Sequence, residues 1–172
     1  AIPAAVIKQA VQTAAGGGHS LVRPWLGVKG QEVTAEIAQS LGLARPQGVL
    51  VGDVYPGSAA ERAGIQVGDV VMAVDGQPVN DVASADYRIN AHDMGSQVKL
   101  DIRRGGANRT LTVRAEPAPA TPAKDERTIA GRNPLSGATV VNMSPATAEE
   151  LGVDPFAAKA GVLVTAISGQ GY

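Results

Sequence analysis

The sequence predicts a mixed α+β chain: short antiparallel strands interleaved with two or three short helices, forming one full domain followed by part of a second. Three observations carry this. Five strand-like segments lie near 25–33, 48–54, 69–74, 97–103 and 109–115, with the turn dipeptides Asp75-Gly76 and Gly105-Gly106 among their connections. Helical stretches fall between them at about 34–41, 58–63 and 84–92. Finally, landmarks of the first half recur after a proline-rich break, and a repeat of domain length means a second copy of one fold.

Composition narrows the classes. Apolar residues make up 44% and charged residues 18%, which predicts a folded core rather than disorder. Aromatics are confined to Trp25, Tyr55, Tyr87, Phe156 and Tyr172, so that core must be built from Val, Leu, Ile and Ala. The net charge is −1 with Lys and Arg scattered, and no basic stripe invites nucleic acid. The absence of cysteine removes disulfides and thiolate metal sites, and no His or carboxylate cluster has ligand spacing. Neither a metal nor a cofactor is expected. The longest apolar run, Val70 to Val74, is far short of a span, so no membrane insertion is expected.

The elements follow in order. Residues 1–22 open on Ala1-Ile2-Pro3, without a signal-peptide pattern, and read as the middle of a longer protein. Apolar positions at helical spacing predict a helix over 4–15, with Pro3 in its first turn and Gly16-Gly17-Gly18 ending it. That glycine run follows a helix rather than joining a strand to one, so it reads as a flexible joint and not a phosphate loop. Residues 23–115 form the first domain, with a hairpin tip between Arg103 and Arg109. Residues 116–126, carrying Pro117, Pro119 and Pro122, read as an extended spacer of roughly 3 Å per residue. In 127–172, Glu36, Leu41-Gly42-Leu43 and Gly48-Val49-Leu50-Val51 recur as Glu149, Leu151-Gly152-Val153 and Gly161-Val162-Leu163-Val164, and Gly27 recurs as Gly137. Nothing in this copy corresponds to Pro56 onward. A half-domain leaves an open strand edge, so it is expected to be partly disordered or completed by another chain.

Trp25-Leu26-Gly27-Val28, followed about thirty residues later by Pro56-Gly57-Ser58-Ala59-Ala60-Glu61-Arg62-Ala63-Gly64 and Gly68-Asp69, resembles a PDZ domain of the bacterial HtrA/Deg serine proteases. The resemblance implies a PDZ fold: a partly open antiparallel β-barrel or sandwich of five to six short strands with two to three short helices, plus an incomplete second PDZ. It also implies a task, gripping the free C-terminus of another polypeptide. Successive main-chain N–H groups in a tight turn can match a carboxylate without a cationic side chain, and glycine lets the turn approach closely.

On this resemblance the amides of Leu26, Gly27 and Val28 hold the carboxylate, and the side chains of Leu26 and Val28 line the last-residue pocket. Trp25 belongs to the groove, and Lys29, Gly30 and Gln31 pair with the ligand backbone. Ala85 and Ile89, four apart on a helix, form the opposite wall, while Tyr87, Ala91 and Met94 face the core. Leu26, Val28 and Ile89 also read as plain core positions. Ser136, Gly137 and Ala138 form the corresponding loop of the second copy.

No catalytic residue is expected in this chain. The family's Gly-Asn-Ser-Gly-Gly nucleophile motif is absent, and His19 and His92 read as solvated surface residues. The opening Ala1-Ile2-Pro3 resembles the end of the trypsin-like protease domain that precedes PDZ domains in this family. The implied function is a recruiting and regulatory segment of a periplasmic serine endopeptidase, taking C-termini of unfolded or misfolded proteins. The parent is expected to form homo-oligomers through its protease domain or PDZ contacts. Rival readings are a non-catalytic scaffold for oligomer assembly or one fixed partner, the PDZ of an intramembrane protease or secretion component, and a silent groove.

Overall fold

Alternating burial along one long strand organises the molecule: Val98, Leu100 and Ile102 point inward and are almost fully buried, while Gln97 and Lys99 face solvent. The computed structural model describes residues 22–157 and 159–168. The helix expected over 4–15, the glycine joint and His19 lie outside the described residues. The chain divides into two compact units, residues up to Pro117 and residues from Ala118.

In the first unit the order is β1 (Val28–Glu32), α1 (Ala35–Ser40), β2 (Val49–Val54), α2 (Ala59–Arg62), β3 (Val70–Val74), β4 (Gln77–Pro78), α3 (Val82–Asn90), β5 (Gln97–Arg104) and β6 (Ala107–Arg114). All pairings are antiparallel in one six-stranded sheet of order β1-β2-β3-β5-β6, with β4 attached to β3. The sheet stays open. The Trp25 amide donates to the Glu116 carbonyl at 2.7 Å, which brings the segment before β1 beside the segment after β6 without closing a barrel. Val51, Val74, Val79, Val98, Leu100, Ile102 and Val113 form the centre of an aliphatic core.

Four details differ from the sequence expectation, each for a local reason. The hairpin tip is only Gly105-Gly106, both at positive φ, so β5 and β6 run to Arg104 and Ala107. A short strand, β4, folds back from the Asp75-Gly76 turn with Val74 opposite Gln77. Helix α3 starts at Val82, because Asp81 caps it: its carboxylate accepts from the Ser84 amide at 2.6 Å, and the Ser84 hydroxyl accepts from the Asp81 amide at 3.2 Å. Tyr87 is 51% exposed rather than core-facing, because Val82, Ala85 and Ile89 already make the inward stripe.

The second unit holds β7 (Arg127–Thr128), β8 (Ala138–Asn142), α4 (Pro145–Leu151) and β9 (Val162–Ile167), with sheet order β7-β8-β9. It repeats the first unit's beginning residue for residue. Val28 opposes Val54 as Ala138 opposes Ile167, Glu32 opposes Val49 as Asn142 opposes Val162, and the same irregularity follows Lys29 and Thr139. Thr34 caps α1 and Ser144 caps α4 in the same way. The helices align at a constant offset, which makes Ala146 rather than Glu149 the counterpart of Glu36. Strand β9 pairs only with β8 among the described residues, and Val162, Val164 and Ile167 are exposed.

Candidate functional site

The site begins at a glycine with no room for a side chain. Gly27 has φ +78°, and a Cβ there would lie 2.2 Å from the Cβ of Ser58 and 2.9 Å from the Trp25 ring. Ser58 is itself buried as the cap of α2, its hydroxyl accepting from the Glu61 amide at 3.2 Å. The Pro56 to Gly64 stretch therefore packs directly behind the loop. Trp25 stands edge-on to Tyr55, ring centroids 5.3 Å apart, and braces the other side.

The loop's polar groups are divided by sign. The Leu26 carbonyl accepts from the Ala60 amide at 3.0 Å and the Gly27 carbonyl from the Tyr55 amide at 2.8 Å. Among the described residues, no acceptor takes the amides of Leu26 and Gly27. The Tyr55–Gly27 bond also sets the ladder's phase, and the Val54 amide turns to the Asp53 carboxylate at 2.8 Å. Val28 then sits in a non-hydrogen-bonded pair with Val54 and points its amide away from β2. Internal donors take the Leu26 and Gly27 carbonyls, and the amides at these positions are left over. That is the electrostatic character of an anion-binding bend.

Beside this bend lies a cavity of about 150 Å³. Trp25, Leu26, Gly27, Val28, Gly30, Ala85 and Ile89 line it, each a residue singled out from the sequence. Lys29 and Gln31 do not. Strand alternation turns their side chains to the other face and their main-chain groups toward β2, leaving Val28 and Gly30 to address the open edge. Gly30 keeps the groove open, since a Cβ there would approach Val49 within 2.7 Å and Val82 within 3.5 Å. The Glu32 carboxylate accepts from the Val82 amide at 3.1 Å and pins the start of α3 to β1, which sets the groove's width.

Sequence reasoning missed Val82 and Asp86 on the helical wall and Ile65 at the floor. The signal was present in part: Val82, Asp86, Ile89 and Asn90 share one face, but only once the helix is phased from the Asp81 cap. Asp86 lines the groove as an exposed residue, and partial desolvation there raises its carboxyl pKa from the ordinary value. The Asp81 carboxyl is held below its ordinary range by the bonds from the Ser84 amide and then the Ser84 hydroxyl.

Two further expectations meet different geometry. The amides of Ser136, Gly137 and Ala138 are spent on Asn133, Ile129 and Leu135 carbonyls at 3.1, 2.8 and 3.0 Å, so the second-copy loop has no donor left for a carboxylate. His92 is not a free surface residue: its Nε2 lies 2.5 Å from Asp75 and its Nδ1 lies 3.3 Å from the Ser96 hydroxyl. That hydroxyl donates to the Asp93 carbonyl at 2.7 Å, so the trio ties the end of α3 to the β3–β4 turn rather than presenting a nucleophile.

Comparison with known proteins gives a consistent picture. A family model described as PDZ domain matches residues 24–115. A probable periplasmic serine endoprotease, DegP-like, of Rhizobium meliloti (strain 1021) is 41% identical over 129 residues, covering 70% of this chain and 25% of that protein. A DegP-like counterpart from Halomonas elongata is 42% identical over 94 residues, covering 55% of this chain and 20% of its own length. This chain thus matches about a quarter or less of those relatives. Among solved structures, an HtrA-type protease, AlgW, with decapeptide superimposes with a TM-score of 0.57 at 29% identity, covering 68% of this chain and 36% of that one. No helix among the described residues is long and apolar enough to cross a membrane.

Proposed function

Because this chain belongs to the PDZ-domain family, whose model matches more than half of it, and is similar to HtrA-type members, we propose that its first unit captures the free C-terminus of another polypeptide. The ligand adds as a strand at the open edge of β1. Its carboxylate meets the amides of Leu26, Gly27 and Val28, and its last side chain enters the cavity between Leu26, Val28, Ala85 and Ile89. Trp25 frames the mouth. Lys29, Gly30 and Gln31 form the strand beside which the ligand lies, Gly30 through its outward main-chain groups and the other two by holding β1 to β2.

The observation that carries this reading is the sorting of polar groups at the bend: the Leu26 and Gly27 carbonyls satisfied from inside, their amides left without an acceptor among the described residues at the rim of an apolar cavity. One apolar side chain of Val or Leu size suits the volume, and burying it contributes roughly 1.5–3 kcal/mol. Charge-assisted bonds to the carboxylate add about 1.5–3 kcal/mol each, and ordering an extended ligand removes much of the sum. The expected affinity is on the order of micromolar.

The similarity to DegP-like endoproteases supports placing the parent in the periplasm as a serine endopeptidase, with this unit delivering C-termini of unfolded proteins to it. Isothermal titration with a peptide ending in Val or Leu tests the grip. Replacing the terminal carboxylate by a carboxamide should weaken binding by roughly 10–100-fold, the worth of about one charge-assisted bond. Equal affinity for acid and amide would end the proposal.

A further inference from the structure

The repeat places β8 where β1 stands in the first unit, yet the two strands have different neighbours. Among the described residues β1 ends its sheet, with β2 on one side and an open edge on the other. β8 has β9 on the side corresponding to β2, and β7 on the side corresponding to that open edge. We infer that the second unit's strand-addition edge is already occupied by this chain's own residues 124–129, with Ile129 standing where a ligand's last residue would stand. The inference rests on the strand-addition reading of the first unit and extends it to its copy.

The hydrogen bonds carry the assignment. The Gly137 amide, counterpart of Gly27, donates to the Ile129 carbonyl at 2.8 Å, where a terminal carboxylate oxygen would be received. The Ile129 amide donates to the carbonyl of Ala138, counterpart of Val28, at 2.8 Å. Thr128 and Arg127 continue antiparallel opposite Thr139 and Val140, and Val140 is the counterpart of Gly30. Further back, the Lys124 carbonyl accepts from the Asn142 amide at 2.7 Å, and the Lys124 ammonium pairs with Glu150 on α4 at 2.7 Å. The segment is therefore fastened at both ends. Elsewhere the loop copies its model: the Gly137 carbonyl accepts from the Ser168 amide at 3.0 Å, as Gly27 accepts from Tyr55.

The consequence is asymmetry between two similar units. The first offers amides to an outside chain, and the second has answered its own. A partner strand can add to β8 only by displacing 124–129, so the tandem carries one working carboxylate site.

Amide hydrogen exchange by NMR on the whole chain tests this without any substitution. In the free protein Gly137 should exchange on the order of 100-fold more slowly than Gly27, because of the two only Gly137 has a partner among the described residues. Fast exchange at Gly137 would overturn the inference. With a saturating peptide ending in Val, Gly27 should shift and Gly137 should not, at one peptide per chain; a Gly137 shift with two bound would also overturn it. A failure of Gly27 to respond would sink the C-terminus reading of the first unit while leaving the Gly137 measurement decisive for the second. The variant Ile129→Pro removes the donor to Ala138 and should release Gly137 protection; retained protection in the folded variant would refute the assignment.

Discussion

Gly27→Ala strikes the bend at its tightest point, and its cost divides into two parts that can be measured separately. Holding a residue with a Cβ at φ +78° costs about 1–2 kcal/mol. The new methyl would also sit 2.2 Å from the Ser58 Cβ, more than 1 Å inside ordinary contact, against a side chain only 1% exposed. Overpacking of this kind costs about 1–3 kcal/mol, so the total is about 2–5 kcal/mol of stability. Because the strain is relieved by moving the loop, the amides of Leu26 and Gly27 lose their aim. Peptide affinity should fall about 100-fold even where the protein remains folded, since 2.7 kcal/mol spans two decades.

Urea unfolding reads the stability and isothermal titration reads the grip. Repeating both in a Ser58→Gly background separates the parts. Glycine is tolerated as the α2 cap at a cost of a few tenths of a kcal/mol, and it clears the space in front of residue 27. There the Gly27→Ala penalty should shrink toward the dihedral part, about 1–2 kcal/mol, with only the 2.9 Å approach to the Trp25 ring left to add to it. An unchanged penalty in the two backgrounds would refute the packing argument. Unchanged peptide affinity in folded Gly27→Ala would refute the loop's role.

Two other outcomes follow from the same structure. Asp69 is 1% exposed, takes two bonds from Arg104 at 2.6 and 2.7 Å and one from the Gln66 amide at 2.9 Å, so Asp69→Ala should destabilise the first unit by about 2–4 kcal/mol in urea unfolding; a loss below about 0.5 kcal/mol would contradict that account. Asp86 has a raised folded-state pKa, so the folded state holds its proton more tightly than the unfolded one. Its contribution to stability is full below the unfolded value and is lost as pH rises through the folded one. A ligand that covers it deepens the desolvation, so affinity for an apolar-ended peptide should strengthen as pH falls from neutral toward the carboxylate range. Asp86→Asn should flatten that slope in titrations across pH, and an identical slope in the variant would count against Asp86 facing the ligand.

Much of the fold was legible because its signals are local. Turn dipeptides, strand-like segments and the small-residue stretch from Pro56 to Gly64 each depend on a few neighbouring residues, and the repeat showed through because Gly27 and Gly137 answer the same need for a positive φ. Helix phase was harder to read. The Asp81–Ser84 capping box starts α3 earlier than its apolar residues suggest and so adds Val82 to the groove wall, and with Val82, Ala85 and Ile89 forming the inward stripe Tyr87 is left in solvent. Lys29 and Gln31 sit in the right strand, but the ladder's phase, set by Tyr55 meeting Gly27, decided which of their groups face outward.

By itself the sequence determined that two related units exist, that each carries a glycine bend, and that the first has the small-residue segment needed to pack behind it. Only the tertiary structure decided which bend is available. Leu26-Gly27-Val28 and Ser136-Gly137-Ala138 are comparable short segments, and their difference lies in what approaches them from far along the chain. Ala60 and Tyr55 take the first bend's carbonyls and leave its amides open, whereas Ile129 folds back and takes the Gly137 amide. Hydrogen bonds are allotted by three-dimensional proximity, which a local pattern of residue types does not encode.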